Sequence, residues 1–139
     1  MSCIFCEIEE RYILFETEFF KAVYDIDPMQ HGHVIVMTKK HNMHVNELSQ
    51  NELNEYIIVQ KKVIDVMEET LLVDGVTVIL NNGGVMDGGT HFHIHFIPRY
   101  KDDDFWTHQK VVEKTIDLHL LKGKLKEGVQ KYENSSDYV

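Results

Sequence analysis

Three histidines at alternating positions, His91, His93 and His95, and a cysteine pair, Cys3 and Cys6, are the residues of this chain best equipped for chemistry. On an extended strand the three imidazoles share one face. At ~3.3 Å per residue the outer pair stands about 13 Å apart, whereas metal–nitrogen bonds measure only about 2.0–2.1 Å. Two neighbouring imidazoles can chelate one ion, but three in a row on a regular strand cannot do so comfortably, so the triplet is expected to split its roles. Phe92, Ile94 and Phe96 then go to the opposite face, which reads as a core face. A neutral imidazole is a nucleophile toward phosphorus. Asn81 to Gly89 holds four glycines, and backbone N–H groups of such a loop approach a phosphate closely. Spacing alone leaves a metal-binding strand and a phosphate-binding one equally open.

Cys3-Ile4-Phe5-Cys6 is a C-x-x-C motif. In a reducing compartment it reads as half a metal site or a redox pair. A redox motif should follow a strand and open a helix, and no strand precedes this one, so half a zinc site is the preferred reading. A tetrahedral site needs two more ligands, usually histidine. The chain has 9 His; His31, His33, His41 and His44 fall in one stretch, while His108 and His119 look like surface positions.

These residues need elements to hold them. Residues 19–24 read as a strand rich in aromatic and branched side chains, ended by Asp25-Ile26-Asp27-Pro28. His33 to Thr38 is a second apolar run. Ser49 with Glu52 three residues on is a capping-box signature. Leu53, Tyr56, Ile57, Val63, Ile64, Met67 and Leu71 follow at helical spacing, and Asp74-Gly75 stops the helix. Val76 to Leu80 is a buried strand, and Phe92 to Ile97 a strand closed by Pro98. Residues 107–127 read as weakly helical and the last ten or so as frayed. The expected fold is α+β: a mainly antiparallel sheet of about five strands, one long helix and a C-terminal helical extension.

With 14 Lys+Arg against 23 Asp+Glu the net charge is −9, a poor balance for binding nucleic-acid backbones. The 43% hydrophobic and 27% charged residues are an ordinary globular composition. No apolar run reaches the ~20 residues of a membrane span. Met1 to Glu7 lacks the basic and apolar regions of a secretory signal, so no membrane, no nucleic acid and a cytoplasmic location are expected.

The chain resembles the histidine triad (HIT) superfamily, whose motif His-φ-His-φ-His-φ-φ is matched throughout by His91-Phe92-His93-Ile94-His95-Phe96-Ile97. Cys3 to Ile8, Ala22 to Pro28, Gly32 to Val36 with Lys39-Lys40-His41, and Asn81-Asn82-Gly83 resemble further family segments in order and spacing. The resemblance covers roughly residues 3–100, implying a HIT domain over 1–100 with 101–139 as an extension of the same domain. It implies a nucleotide hydrolase or transferase acting at the α-phosphate of nucleoside phosphoramidates or related purine nucleotides through a nucleotidyl-histidine. His93 would be the nucleophile, His95 would contact the α-phosphate, and His33 would support the nucleophile. Asp25 would hydrogen-bond the ribose hydroxyls, and Asn81, Gly88 and Gly89 would lie by the phosphate or ribose. Ile4, Phe5, Ile8, Val23, Ile26 and Ile35 would line the base pocket. Likeness to galactose-1-phosphate uridylyltransferases implies a structural Zn2+ on Cys3, Cys6, His41 and His91, with His44 a rival for His41. A homodimer with joined sheets is implied too. A zinc- or nucleotide-binding interaction module with little catalysis is the alternative, and metal-dependent hydrolysis on the histidine row a third reading.

The sequence departs from the family before the triad. Many members carry Gly-Gln-Ser/Thr-Val there, whereas here Met86-Asp87-Gly88-Gly89-Thr90 is one residue shorter, with Gly88 at the hydroxyl position. Strand alternation would put Thr90 opposite His91. Asp87 replaces the glutamine, and a carboxylate there repels a phosphate unless it points away or is protonated. Thr38 replaces the usual proline.

Overall fold

The computed structural model describes residues 2–135. Its folded part is an antiparallel sheet of five strands: β1 (Ile13–Glu16), β2 (Phe20–Tyr24), β3 (Val34–Thr38), β4 (Gly75–Leu80) and β5 (His93–Arg99). They lie in the order β1-β2-β3-β5-β4, and every neighbouring pair is antiparallel. Helix α1 (Gln50–Leu71) crosses between β3 and β4 in the chain, and helix α2 (Leu118–Glu133) follows the sheet.

Alternation along the strands divides the side chains into two layers. Phe20, Ala22, Val34, Val36, Ile94 and Phe96 pack with Val59, Val63 and Met67 of α1. Burying each large apolar side chain contributes roughly 1.5–3 kcal/mol, which is why α1 lies against this face. On the other face Val23, Ile35 and Met37 pack with Cys3 and Phe5 of the N-terminal arm. In register Met37 lies opposite His93 and Ile35 opposite His95. The two imidazoles of β5 therefore share the face that the C-x-x-C arm covers.

The capping box is present: Glu52 N–H donates to Ser49 Oγ at 3.2 Å, and Ser49 N–H to a Glu52 carboxylate oxygen at 3.3 Å. The helix ends before Asp74, where Leu72 takes a left-handed conformation with φ 54°. Its inward stripe differs from the sequence reading. Val59 is buried, while Ile57 and Leu71 are exposed.

Other elements also shift. The fifth strand is β1, where Ile13 and Phe15 are half-buried and Leu14 and Glu16 exposed. Four residues of that alternation are too short a signal to stand out. The strand β4 is an edge strand and only half-buried throughout, because among the described residues one of its sides has no neighbouring strand. Pro98 does not close β5, which runs on to Arg99. Its pairing with β3 stops at Phe96, while Pro98 still lies opposite Val76 of β4, so the missing N–H falls where β3 has ended. Gly32 packs beside it; a Cβ there would sit 2.9 Å from Leu71 Cδ1 and 3.3 Å from Pro98 Cγ, and its φ is +92°.

The chain divides into two compact units after Phe105. In the second, the helix begins at Leu118 and not near 107, since Asp117 supplies the N-cap by accepting from Leu120 N–H at 3.0 Å. Of the ten residues expected to fray, Gln130 to Glu133 are helical and 136–139 lie outside the described residues.

Candidate active site and metal centre

The regular strand starts at His93, so His91 is freed from strand alternation and turns toward the N-terminal arm. His91 Nδ1 lies 3.1 Å from Cys3 Sγ and 3.6 Å from Cys6 Sγ, and His41 Nδ1 lies 3.4 Å from Cys6 Sγ. All four donor atoms fall within 4.8 Å of one another. Bond lengths of about 2.3 Å to sulfur and 2.0–2.1 Å to nitrogen put tetrahedral S and N ligands about 3.6 Å apart, so the spacing fits one tetrahedral ion. The ring is preset for it. His91 Nε2–H donates to the Thr38 carbonyl at 2.6 Å, leaving the Nδ1 lone pair toward the sulfurs. Desolvation and then the adjacent Cys3 sulfur raise the Cys6 thiol above its ordinary range, a cost that a dication would relieve. His44 stands outside the cluster, its Nδ1 accepting from Asn46 N–H at 3.2 Å as the cap of a short turn.

His93 is oriented differently. Its Nδ1 faces the His91 carbonyl at 2.6 Å, and a carbonyl only accepts, so Nδ1 carries the proton and Nε2 keeps a lone pair. The Phe5 ring packs edge-on against both His91 and His93, with centroids 5.6 and 4.8 Å away. The cysteine arm thus touches a metal-cluster ring and the His93 ring with one side chain.

A second chain of bonds fixes His95. Met29 N–H donates to His33 Nδ1 at 3.1 Å, so the proton of neutral His33 sits on Nε2. That proton faces His95 Nδ1 at 2.9 Å and an Asp25 carboxylate oxygen at 3.4 Å. Accepting at Nδ1 leaves His95 with its own proton on Nε2. The other Asp25 oxygen accepts from Asp27 N–H at 2.8 Å, closing the turn before Pro28. The donor atoms of Asp25, His33 and His95 also gather within 4.8 Å. Yet the Met29 amide occupies the lone pair at His33 Nδ1, so Nε2 keeps its proton and offers none to a cation.

Burial first, then His93 and His33, hold the His95 pKa down from 6.5 to about 4. Burial likewise lowers His33. The unfolded chain therefore binds more protons than the folded one between about 4 and 6.5. The stability from a neutral His95 is complete above this window and is lost as pH falls through it, by up to about 3 kcal/mol. Urea titrations above the window and at its acid end are expected to show the midpoint falling; an unchanged midpoint contradicts the assignment.

His93 and His95 line a cavity of about 630 Å³, within the size range of small-molecule sites. Ile4, Phe5, Ile8, Val23, Ile26 and Ile35 all line it, as do Asp25 and, beyond the expected set, Arg11, Tyr12, Ile13, Leu14, Tyr24, Asp87 and Thr90. The residues from 11 to 14 escaped the sequence reading because β1 did. Their only cue was the Ile13/Phe15 alternation. Thr90 is not turned away, because alternation does not reach it. Its hydroxyl donates to the Asp87 carbonyl at 2.6 Å. Asn81 lies just after β4 and is not in the lining, nor are Gly88 and Gly89. Gly89, at φ +81°, offers its carbonyl to Ile4 N–H at 2.9 Å, tying the glycine loop to the cysteine arm. A smaller cavity of about 340 Å³ between α1 and the β1–β3 side of the sheet holds no histidine or cysteine.

The HIT domain family matches residues 7–102. An uncharacterized HIT-like protein of Methanocaldococcus jannaschii is 38% identical over 106 residues, 73% of this chain and 81% of that protein. The adenosine 5′-monophosphoramidase of Schizosaccharomyces pombe is 32% identical over 108 residues, 74% of this chain and 78% of that protein. The crystal structure of a HIT family member from Bacillus subtilis superposes with a TM-score of 0.75 at 26% identity, covering 98% of this chain and 100% of that one.

Proposed function

The chain belongs to the HIT family, and from that premise we propose that it hydrolyses or transfers nucleoside monophosphates, with His93 attacking the α-phosphorus of a purine nucleoside 5′-phosphoramidate or a related P–O–P compound. The carrying observation is the pinned tautomer of His93, whose Nδ1–H is fixed on the His91 carbonyl at 2.6 Å so that a lone pair remains on Nε2. The relative named adenosine 5′-monophosphoramidase supports the substrate class.

In this reading Nε2 of His93 forms a bond to phosphorus as the bond to the leaving group breaks on the opposite side. A phosphoramidate nitrogen, protonated beforehand, departs with the bonding pair as a neutral amine. Water then attacks the nucleotidyl-histidine, the N–P bond pair returns to Nε2, and the water proton is released with the nucleoside monophosphate. His95 donates Nε2–H to a non-bridging oxygen, where charge grows. His33 positions His95 by holding its tautomer. Asp25 takes the ribose hydroxyls, a pair of donors suited to a carboxylate. Ile4, Phe5, Ile8, Val23, Ile26 and Ile35 take the base, while Asn81, Gly88 and Gly89, which do not line the cavity, have no direct role in this reading.

Zinc on Cys3, Cys6, His41 and His91 is structural in this proposal, because four protein ligands leave no open position. Bound there, it cross-links the N-terminal arm to the two loops. Residues 101–139 extend the same domain. The unpaired edge of β4 is where sheets of a homodimer join, and the working compartment is the cytoplasm.

The test is release of AMP from adenosine 5′-phosphoramidate, followed by phosphorus NMR. Release that persists in excess magnesium chelator, with the cysteine cluster still loaded, supports the proposal. Nucleotide binding without release moves the protein to the interaction-module reading.

A further inference from the structure

The cavity is built from two segments of the chain. All of its lining from the first segment falls within residues 4–35, and the remainder is Asp87, Thr90, His93 and His95. Asp87 therefore belongs to the same wall as the two imidazoles. It is also held. Thr90 donates to its carbonyl through both the hydroxyl, at 2.6 Å, and the backbone N–H, at 3.3 Å. The next residue but one, Gly89, is tied to Ile4. Its charge is felt at His95, where it draws the pKa upward against the larger lowering by burial.

The charges around the cavity are otherwise sparse. Arg11 is its one cationic lining residue, and it is paired with Glu9 at 2.9 Å. Asp25 is occupied by the Asp27 amide and faces His33. With His33 and His95 held neutral by burial, Asp87 is the one acid on the wall that carries the nucleophile. With residues 4–35 around the base and the two imidazoles at the phosphorus, Asp87 and Thr90 are the lining left to meet the leaving group, which departs on the side of phosphorus away from His93. A phosphate chain would meet the carboxylate as a like charge, and an ammonium group as an opposite one.

We propose that Asp87 sets the leaving-group preference of this site, favouring nucleoside 5′-phosphoramidates whose departing amine carries a positive charge and disfavouring substrates that leave as a phosphate chain. The inference rests on the hydrolase reading above and narrows its substrate class. Thr90 is the positioning residue for the turn that presents the carboxylate.

Three adenosine 5′-phosphoramidates of similar size test it: one with a 2-aminoethyl, one with an n-propyl and one with a 2-carboxyethyl group on nitrogen. The wild-type kcat/KM is expected to favour the cationic over the anionic compound by about tenfold, the scale of one charge pair at a partly solvated site. Asp87→Asn should bring that ratio close to one, Asp87→Glu should keep it, and added salt should compress it only where the carboxylate is present. A scaffold role for Asp87 would lower all three rates together and leave the ratio unmoved, which overturns the proposal. AMP released equally from all three by the wild type also overturns it, and leaves the hydrolase reading standing. No release from any of them removes both.

Discussion

Replacing His93 by alanine is expected to lower kcat for adenosine 5′-phosphoramidate by at least about 10³-fold, the scale of losing a nucleophile whose partners remain. The argument is geometric. His93 is nearly buried, lines the cavity, and has its Nδ1 proton committed to the His91 carbonyl. His95 cannot take over, because its tautomer is set from behind by His33 and its cavity-facing nitrogen carries a proton. A smaller loss is expected for His33→Ala, about 10–100-fold, since it frees the His95 ring without removing it. The two variants separate by affinity as well: His93→Ala should still bind AMP, because the base wall and Asp25 are untouched. Isothermal titration with AMP and steady-state kinetics read the two quantities. Full activity in His93→Ala would remove it from the role.

The second large effect concerns the cysteine arm. Cys3→Ser is expected to abolish stoichiometric zinc and to destabilise the fold by several kcal/mol, as loss of a structural site does. Cys3 is buried and 3.1 Å from His91, and the arm it anchors carries Ile4, Phe5 and Ile8 of the cavity wall. Activity should fall with it, through the wall and not through the chemistry. Phe5 lies edge-on to His93 with centroids 4.8 Å apart, so a loosened arm uncovers the nucleophile and opens the base pocket. Zinc content by elemental mass spectrometry and the thermal midpoint check the first part; the KM for nucleotide checks the second. A zinc-free variant with an unchanged midpoint contradicts it.

Local signals in the sequence are easier to read than those that depend on distant partners. Alternation in Phe92 to Phe96 announces a strand with a core face, and the Ser49/Glu52 pair announces the helix start, because both depend on near neighbours in the chain. The split of the three histidines also followed from distances along a strand. The reason proved simpler than expected: β5 begins at His93, so His91 is outside the strand altogether. What the sequence concealed depends on distant partners. Pro98 looks like a stop until the end of β3 is known, and β4 looks buried until it is seen to lie at an edge. The tautomers of His33 and His95 depend on one backbone amide, that of Met29. No residue type records that amide's direction. Asp87 appeared in the sequence as a misfit in a phosphate site, and only the cavity lining shows that it shares the wall of the imidazoles.

Intact-protein mass spectrometry during turnover addresses the nucleophile most directly. Wild-type protein mixed with adenosine 5′-phosphoramidate and quenched in alkali, where phosphorus–imidazole bonds survive, should gain one adenylyl group. Peptide mapping should place that group on His93, and it should be missing from His93→Ala. Steady AMP release with no adduct, or an adduct on any other residue, would contradict the assignment.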